Sequence, residues 1–189
     1  RNTWMSSLVK LPEGMEGYDS LADWYYKNIE GVEERVFLTF IHTNTEIILS
    51  GHEKDIARVL KKAGLTAVSM KINNVVHHEF CRELMDQLIE MHDLKLELKP
   101  DKEYYSGLTG KPLKLNRKSL ARNAAEVCCK RVDWPFLLDK AVEDGHKIFV
   151  ELGPNSTCSR WTDELLVDVD HIAIPSDRKG ASALRTINN

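Results

Sequence analysis

The pattern around which the chain is organised lies between residues 147 and 161. Residues 148–152 form an almost continuous apolar run, which stops at Gly153-Pro154. Polar residues that suit a helix N-cap follow, and apolar positions then continue over residues 161–166. A strand that leads through a tight turn into a capped helix is typical of parallel sheets in α/β proteins, where both strand faces are covered. On this pattern alone, plain α/β architecture without chemistry is the better interpretation.

The first half of the chain predicts a β-β-α-β unit over residues 36–72. Residues 36–49 hold two runs rich in β-branched and aromatic residues on either side of a polar cluster, which predicts a hairpin. Residues 52–63 place apolar side chains at helical spacing and end before Gly64, and residues 65–72 alternate as a strand does. We therefore expect a small sheet with one helix across it, of the kind found in ferredoxin-like subdomains.

Elsewhere the chain alternates between helical spacing and short extended runs, while residues 1–16 have no clear period. No repeat, low-complexity segment or obvious interdomain linker is present. The spacing predicts helices over residues 19–29, 79–92, 116–130 and 134–141, with Asn116 as a cap and Gly145 as a stop, and β-like runs at residues 94–98, 103–105 and 171–175.

Composition and charge limit which kinds of protein and which partners the chain suits. The 189 residues are 42% hydrophobic, enough for an ordinary core, and the net charge of −3 comes from interspersed acidic and basic residues. This charge pattern argues against nucleic acid and against an anionic membrane as the main partner. The sequence shows no initiator methionine and no signal peptide, and its apolar runs are far below bilayer length. We expect a piece of a longer, cytoplasmic, unexported protein.

The cysteines do not predict a disulfide framework. No Cys-x-x-Cys occurs, and Cys128 and Cys129 are adjacent in an apolar helical segment, where reduced and inert thiols are usual. His77 and Cys81 are four positions apart and, with His78, suggest a metal site. Zinc needs three or four converging ligands, however, and no second cluster has ligand spacing. We therefore expect no bound metal.

Residues 74–80 carry the densest candidate chemistry. His77 and His78 lie where a predicted strand ends and a predicted helix begins, the place where α/β proteins gather catalytic groups. Histidine also passes protons near neutral pH. In the alternative, one histidine packs or caps and the other faces water, and spacing alone favours that alternative. With no Gly-x-Ser-x-Gly elbow and no glycine-rich phosphate loop, these residues do not assemble a complete active site.

The order of these features resembles a known family. A hairpin that ends at residues 47–51, a helix, a strand with a histidine at its end, residues 131–134 and residues 148–154 succeed one another as in the second half of an acyltransferase domain. Such domains are the malonyl/acyl-CoA:acyl carrier protein transacylases of fatty acid and polyketide synthases. The resemblance covers residues 20–185 and depends on the order and spacing of its motifs.

Two further stretches, residues 155–161 and 177–180, are similar to acyltransferase subunits of bacterial omega-3 polyunsaturated fatty acid synthases and heterocyst-glycolipid-type synthases. The resemblance implies acyl transfer from coenzyme A to the phosphopantetheine of an acyl carrier protein. Acyl-CoA and the carrier protein would be substrates, and no tightly bound cofactor is expected. The expected partners are carrier protein domains and other synthase subunits.

The same resemblance implies an α/β fold in which a ferredoxin-like small subdomain packs on the C-terminal portion of an α/β-hydrolase-like core. We expect a helical lead-in over residues 1–32, the small subdomain over residues 33–76, and the C-terminal part of the acyltransferase core over residues 77–189.

The resemblance also implies which residues carry the chemistry. The family's general base is a histidine at the end of this strand, which places the base at His77 and puts His78 where a serine is usual. A backbone carbonyl near Val127 would accept the Nδ1 proton of His77 and leave Nε2 free for the serine nucleophile. The base takes the serine proton as the oxygen attacks a thioester, then returns it to the leaving thiol. Asn155 would lie near the same pocket, without an assigned role.

The family's nucleophilic serine, its oxyanion-hole residues and its carboxylate-binding arginine all precede the small subdomain, and none is in this chain. We therefore expect the missing N-terminal half of the domain as a partner and no turnover from this piece by itself. The choice between malonyl and longer acyl substrates depends on that arginine and stays open. The alternative function is a non-catalytic scaffold or docking module of the same synthase, whereas an upstream Gly-x-Ser-x-Gly would favour the enzyme.

Overall fold

A five-stranded sheet forms the frame of the first part of the chain. Neighbouring strands are antiparallel, except that the fifth strand runs parallel to the second. The strands are β1 (Trp4–Lys10), β2 (Val36–Ile41), β3 (Glu46–His52), β4 (Ala67–Ser69) and β5 (Val132–Asp133), in the spatial order β4-β1-β3-β2-β5.

The structure is a computed structural model that describes residues 3–14, 20–95, 97 and 101–177. The chain divides into two compact units, Arg1–Leu137 and Leu138–Asn189. The five-stranded sheet belongs to the first unit.

Two helices, α1 (Leu21–Ile29) and α2 (Glu53–Ala63), provide the other half of the first unit's core. The Ser20 side chain caps α1 by accepting a hydrogen bond from the backbone N–H of Asp23 at 3.1 Å. Gly64 ends α2 in the left-handed region at φ +68°, which glycine adopts without a steric penalty. The core that the helices share with the sheet contains Val9, Trp24, Tyr25, Ile29, Val36, Leu38, Ile41, Ile47, Leu49, Ile56 and Val59.

The opposite face of the sheet presents two phenylalanines from β2. Val36, Leu38 and Ile41 belong to the core, and the register between β2 and β3 shifts between Leu38 and Phe40. Because side chains alternate along a strand and a bulge adds one residue, Phe37 and Phe40 face away from that core. This second face therefore supplies an aromatic surface for the segment that follows β4.

The segment after β4 leads into a 3₁₀ helix (Glu79–Leu84), α3 (Met85–His92) and α4 (Arg117–Cys128), and α3 packs against α4. Asn116 caps α4, since its Oδ1 accepts from the backbone N–H of Ser119 at 2.9 Å, as its position in the sequence predicts. Just beyond α4, the backbone N–H of Cys129 donates to the carbonyl of Glu126 at 3.0 Å, and the N–H of Lys130 lies 3.4 Å from the carbonyl of Val127. Because a carbonyl oxygen has two lone pairs, the Val127 carbonyl can accept a further hydrogen bond.

The second unit contains a parallel two-stranded sheet. Helix α5 (Trp134–Glu143) crosses the boundary between the units, and β6 (Ile148–Glu151), α6 (Thr157–Leu165) and β7 (Ile172–Pro175) follow. The strand, turn and helix predicted after residue 147 are confirmed. The Glu151 carboxylate caps α6 by accepting from the backbone N–H of Cys158 at 3.2 Å and of Ser159 at 2.8 Å.

The mixed α/β class and the β-β-α-β order of residues 36–72 are confirmed, although β4 is shorter than the alternation predicts. Three other expectations need correction. The range 1–32 is not only helical, because it contains β1, and residues 79–92 form a 3₁₀ helix followed by α3. Residues 103–105 form no full strand and contribute only an isolated bridge from Tyr105 to Pro112. The run at 94–98 lies partly outside the described residues, and the predicted domain boundaries stay predictions.

The part of the chain that the structure describes has no helix with the length and apolarity needed to cross a membrane. In the same residues, no three histidine, cysteine or acidic side chains converge in a way that could hold a metal ion.

Candidate functional site

His77 is held in an unusual backbone conformation at the end of α4. Its φ is +60°, a left-handed value that non-glycine residues seldom adopt. Its backbone N–H donates to the carbonyl of Cys128 at 2.8 Å, and its ring Nδ1 lies 2.8 Å from the carbonyl of Val127. The edge-to-face ring of Phe40, 4.4 Å away between centroids, supports the imidazole from the sheet. Together the two carbonyls of α4 and one ring of β2 fix the position of His77.

These contacts decide which nitrogen of His77 is free. A carbonyl oxygen only accepts hydrogen bonds, so the Nδ1 facing Val127 carries the proton and Nε2 carries the lone pair. Burial lowers the pKa of the His77 imidazole, and the hydrogen bond to Val127 opposes that shift only in part. The ring is therefore neutral near pH 7, with Nε2 as an available base. The contact is the one that the resemblance implies, while the role of His77 as general base stays a prediction.

His78 lies in a different setting. It is the N-cap of the 3₁₀ helix, and its Nδ1 accepts a long hydrogen bond of 3.4 Å from the backbone N–H of Phe80. Its ring packs between Phe37 at 4.2 Å and Phe80 at 4.4 Å, measured between centroids. Burial lowers the pKa of His78, against a smaller upward effect of Glu79. Among the described residues, Nε2 of neither histidine has a hydrogen-bond partner.

Both histidines line an open cavity of about 250 Å³ whose charge is mainly positive. Arg131 has a carboxylate 3.8 Å away in Asp133, whereas Arg82 and Lys130 form no ion pair with any described residue. A ligand with negative charge, or one that gains negative charge during reaction, would be stabilised here. The charged residues of the lining are Glu79, Arg82, Lys130 and Arg131.

Two of the three cysteines near the histidines have thiols whose pKa is raised. Cys81, Cys128 and Cys129 are free thiols, and burial is the main reason why the pKa of Cys128 and that of Cys129 are raised. A raised pKa keeps a thiol protonated and unreactive. In the described residues of this unit, no serine hydroxyl makes a hydrogen bond to His77.

Asn155 belongs to the second unit. It lies in the turn between β6 and α6 with φ +74°, a left-handed value that asparagine tolerates better than most residues. Its expected position beside the pocket of His77 stays a prediction.

The sequence pattern missed several residues of this site. The two phenylalanines of β2 are ordinary strand residues by pattern, and Arg82 and Lys130 are ordinary surface charges. A signal existed only for Arg131, which is part of the motif at residues 131–134. The others come together through folding rather than through sequence spacing.

No known family profile and no curated protein matches the sequence. Several solved structures, in contrast, are similar to this chain. The acyltransferase domain from the second module of the salinomycin polyketide synthase superposes with a TM-score of 0.74 at 18% identity, over 100% of this chain and 42% of that one. A malonyl-CoA:acyl carrier protein transacylase from Xanthomonas oryzae pv. oryzae gives a TM-score of 0.76 at 16% identity, over 98% and 58%.

A third similar structure is a malonyl-transacylase in complex with a type II polyketide synthase acyl carrier protein, with a TM-score of 0.74 at 14% identity, over 100% of this chain and 59% of that one. The chain thus spans between 42% and 59% of the length of these neighbours. At such identities the likeness establishes the fold, and the fold is that of about half of an acyltransferase domain.

Proposed function

We propose that this chain supplies the general-base part of an acyltransferase that moves an acyl group from coenzyme A to the phosphopantetheine of an acyl carrier protein. One observation carries the proposal. His77 keeps Nε2 free because the Val127 carbonyl holds Nδ1 at 2.8 Å, and this occurs on a fold shared with acyltransferases. The serine nucleophile would come from a segment outside these 189 residues.

In the first half-reaction the serine hydroxyl proton passes to Nε2 of His77 as the oxygen attacks the thioester carbon. The C–S bond then breaks, and the imidazolium returns its proton to the departing thiolate sulfur, which leaves an acyl-serine. In the second half, His77 takes the proton of the pantetheine thiol, the sulfur attacks the ester carbon, and the serine oxygen leaves with that proton. The Val127 carbonyl stabilises the imidazolium in both halves through Nδ1–H.

The proposal extends to the setting of the reaction. Acyl-CoA and the carrier protein are substrates, no cofactor is held tightly, and the partners are the other half of the domain and further synthase subunits in the cytoplasm. We favour a polyunsaturated fatty acid synthase because of the sequence likeness at residues 155–161 and 177–180.

We also propose a ferredoxin-like subdomain and an α/β-hydrolase-like core for this fold. The β-α-β-β-α-β order from β1 to β4 supports a ferredoxin-like subdomain, with β1 as one of its strands. The parallel β6-α6-β7 unit supports the C-terminal portion of an α/β-hydrolase-like core.

The test is the rate of acyl-enzyme formation, followed by intact mass in the full-length protein with acyl-CoA. His77→Ala should lower this rate by at least about a hundredfold, because a positioned base contributes 10²–10⁴. His92→Ala is the matched control, since His92 also places Nδ1 on a backbone carbonyl, that of Leu88 at 2.7 Å, but on α3 and outside the cavity. If His77→Ala reacts as fast as His92→Ala, the proposal is wrong. If the unaltered full-length protein takes up no acyl group, the scaffold function is the better one.

A further inference from the structure

His77 and His78 carry their ring protons on opposite nitrogens. The backbone N–H of Phe80 only donates, so the Nδ1 of His78 that accepts from it at 3.4 Å has no proton. A neutral imidazole has one N–H, which for His78 must then lie on Nε2. His77 has the reverse arrangement, with the proton on Nδ1 and the lone pair on Nε2. Two adjacent side chains therefore offer one acceptor and one donor.

The surroundings keep His78 neutral. The rings of Phe37 and Phe80 contact the imidazole, and its partial burial lowers the pKa of His78. Burial outweighs the opposing effect of the Glu79 carboxylate on the pKa of His78, and Arg82, Lys130 and Arg131 line the same cavity. A neutral ring preserves the tautomer that the Phe80 N–H selects.

The donor of His78 is available to a ligand. Its Nε2 has no hydrogen-bond partner among the described residues, and its side chain lines the cavity of about 250 Å³ that also contains His77. A cavity lined by one residue with a free N–H and one with a free lone pair suits a ligand that brings a carbonyl oxygen to the first and a hydroxyl to the second. That pairing describes a serine attacking a thioester.

We propose that His78, in addition to the oxyanion-hole residues that the resemblance places in the other half of the domain, donates its Nε2–H to the carbonyl oxygen of the acyl thioester while Nε2 of His77 receives the nucleophile's proton. The inference rests on the proposed function of the same site. No proton leaves His78: the carbonyl oxygen gains negative charge when the serine oxygen adds to the carbon, and it loses that charge when the C–S bond breaks. The hydrogen bond is therefore strongest in the tetrahedral intermediate, and the nearby cations favour the same charge.

The first experiment tests the tautomer in the chain as it stands. Nitrogen-15 NMR of the histidine side chains should show His78 with its proton on Nε2 and His77 with its proton on Nδ1. On addition of S-acetyl-pantetheine, a small thioester, the resonances of Nε2 of His78 should shift. A His78 ring protonated on Nδ1, or one that ignores the thioester while His77 responds, overturns the role of His78 and leaves that of His77 intact.

The second experiment uses two matched variants of the full-length protein. The amide nitrogen of glutamine in His78→Gln can occupy the place of Nε2, whereas asparagine in His78→Asn reaches only as far as Nδ1 and keeps the acceptor for the Phe80 N–H. Because one oxyanion donor is worth 10²–10³ in rate, His78→Asn should slow acyl-enzyme formation about a hundredfold. His78→Gln should recover most of that loss with little change in KM.

The outcomes separate the two proposals. Equal rates in His78→Asn and the unaltered protein, together with a large loss in His77→Ala, refute the donor and keep the proposed function. Equal losses in the glutamine and asparagine variants also refute the donor, because they indicate a packing effect. An unchanged rate in His77→Ala removes the proposed function itself.

Discussion

The two sheets of this chain bury their apolar residues to very different degrees. In β3 of the five-stranded sheet, Ile47 and Leu49 are 0% exposed, whereas Ile148 of β6 and Ile172 of β7 are 65% and 56% exposed. Helices α1 and α2 share the core of the first sheet, and α6 packs against β6 and β7. Ile148 pairs with Ile172 in register, so the exposed side chains form one continuous apolar face.

The difference shows which of the two sheets has its apolar side chains covered in the described structure. A parallel sheet is normally covered on both faces, and a two-stranded sheet is marginally stable by itself. The apolar run at residues 148–152 has the composition of a strand covered on both sides, yet its exposed side chains leave one face open in the described structure. The proposed function gives a reason, since it includes another half of the domain.

The sharpest test replaces the same residue type in each sheet. Ile47→Ala removes a fully buried side chain and should lower the free energy of unfolding by about 2–5 kcal/mol. Ile148→Ala removes an exposed side chain and should change it by no more than about 0.5 kcal/mol. Urea unfolding of the isolated chain, followed by circular dichroism, measures both. A similar loss in the two variants would mean that the face of β6 is covered in solution, and the contrast would disappear.

A glycine in each unit gives a second, smaller contrast. A Cβ at Gly51 of β3 would lie 2.1 Å from the carbonyl oxygen of Arg35, which already accepts from the backbone N–H of His52. Because a backbone carbonyl cannot swing away, Gly51→Ala should cost about 1–3 kcal/mol. Gly153→Ala meets nothing within 4 Å and should stay within about 0.5 kcal/mol. Urea unfolding measures both variants. An unchanged free energy of unfolding in Gly51→Ala would show that β2 and β3 can separate locally.

Local patterns predicted the elements whose residues are neighbours in sequence. The hairpin, α2, the cap at Asn116 and the succession of β6 and α6 all follow from spacing and turn chemistry within about a dozen residues. The geometry of Val127 and His77 was available only through the resemblance, because 50 positions separate the two residues.

Strand β1 shows why some elements could not be predicted from the local sequence. Its Ser6 and Ser7 are 4% and 2% exposed, so buried positions carry polar side chains and the alternation is hidden. The burial is compensated by partners from distant parts of the chain. The Ser6 hydroxyl lies 2.7 Å from that of Ser50, which lies 2.8 Å from that of Thr39, and Ser6 also donates to the carbonyl of Asn74 at 3.3 Å. No local pattern contains this information.

The histidine site also depends on residues that are remote in sequence. The left-handed φ of His77 and the cap formed by His78 depend on α4 and on the aromatic face of β2, both remote in sequence. Spacing alone favoured one packed or capping histidine and one facing water. In the structure both are partly buried, and His78 caps while its Nε2 stays free.

The smallest contrast concerns the pH dependence of stability, which should have opposite signs in the two units. The pKa of His77 is lowered, mainly by burial, so below its ordinary value near 6.5 the unfolded chain binds a proton that the folded first unit resists. Stability of the first unit should therefore fall as pH drops through 6.5 towards the folded pKa. The pKa of His171 is raised, chiefly by its hydrogen bond to the Val169 carbonyl and then by Asp163. Its contribution is fully present below 6.5 and is lost as pH rises through the folded pKa.

Amide hydrogen exchange resolves the two units separately, since β3 reports on the first and β7 on the second. Between about pH 5.5 and 8, and after correction for intrinsic exchange, the opening free energy should rise with pH in β3 and fall with pH in β7. His77→Gln should reduce the first slope, and His78, whose pKa is also lowered, contributes to the slope that remains. His171→Gln should flatten the second. Slopes of the same sign in both strands would contradict the contrast, because they would mean that the two units open as one.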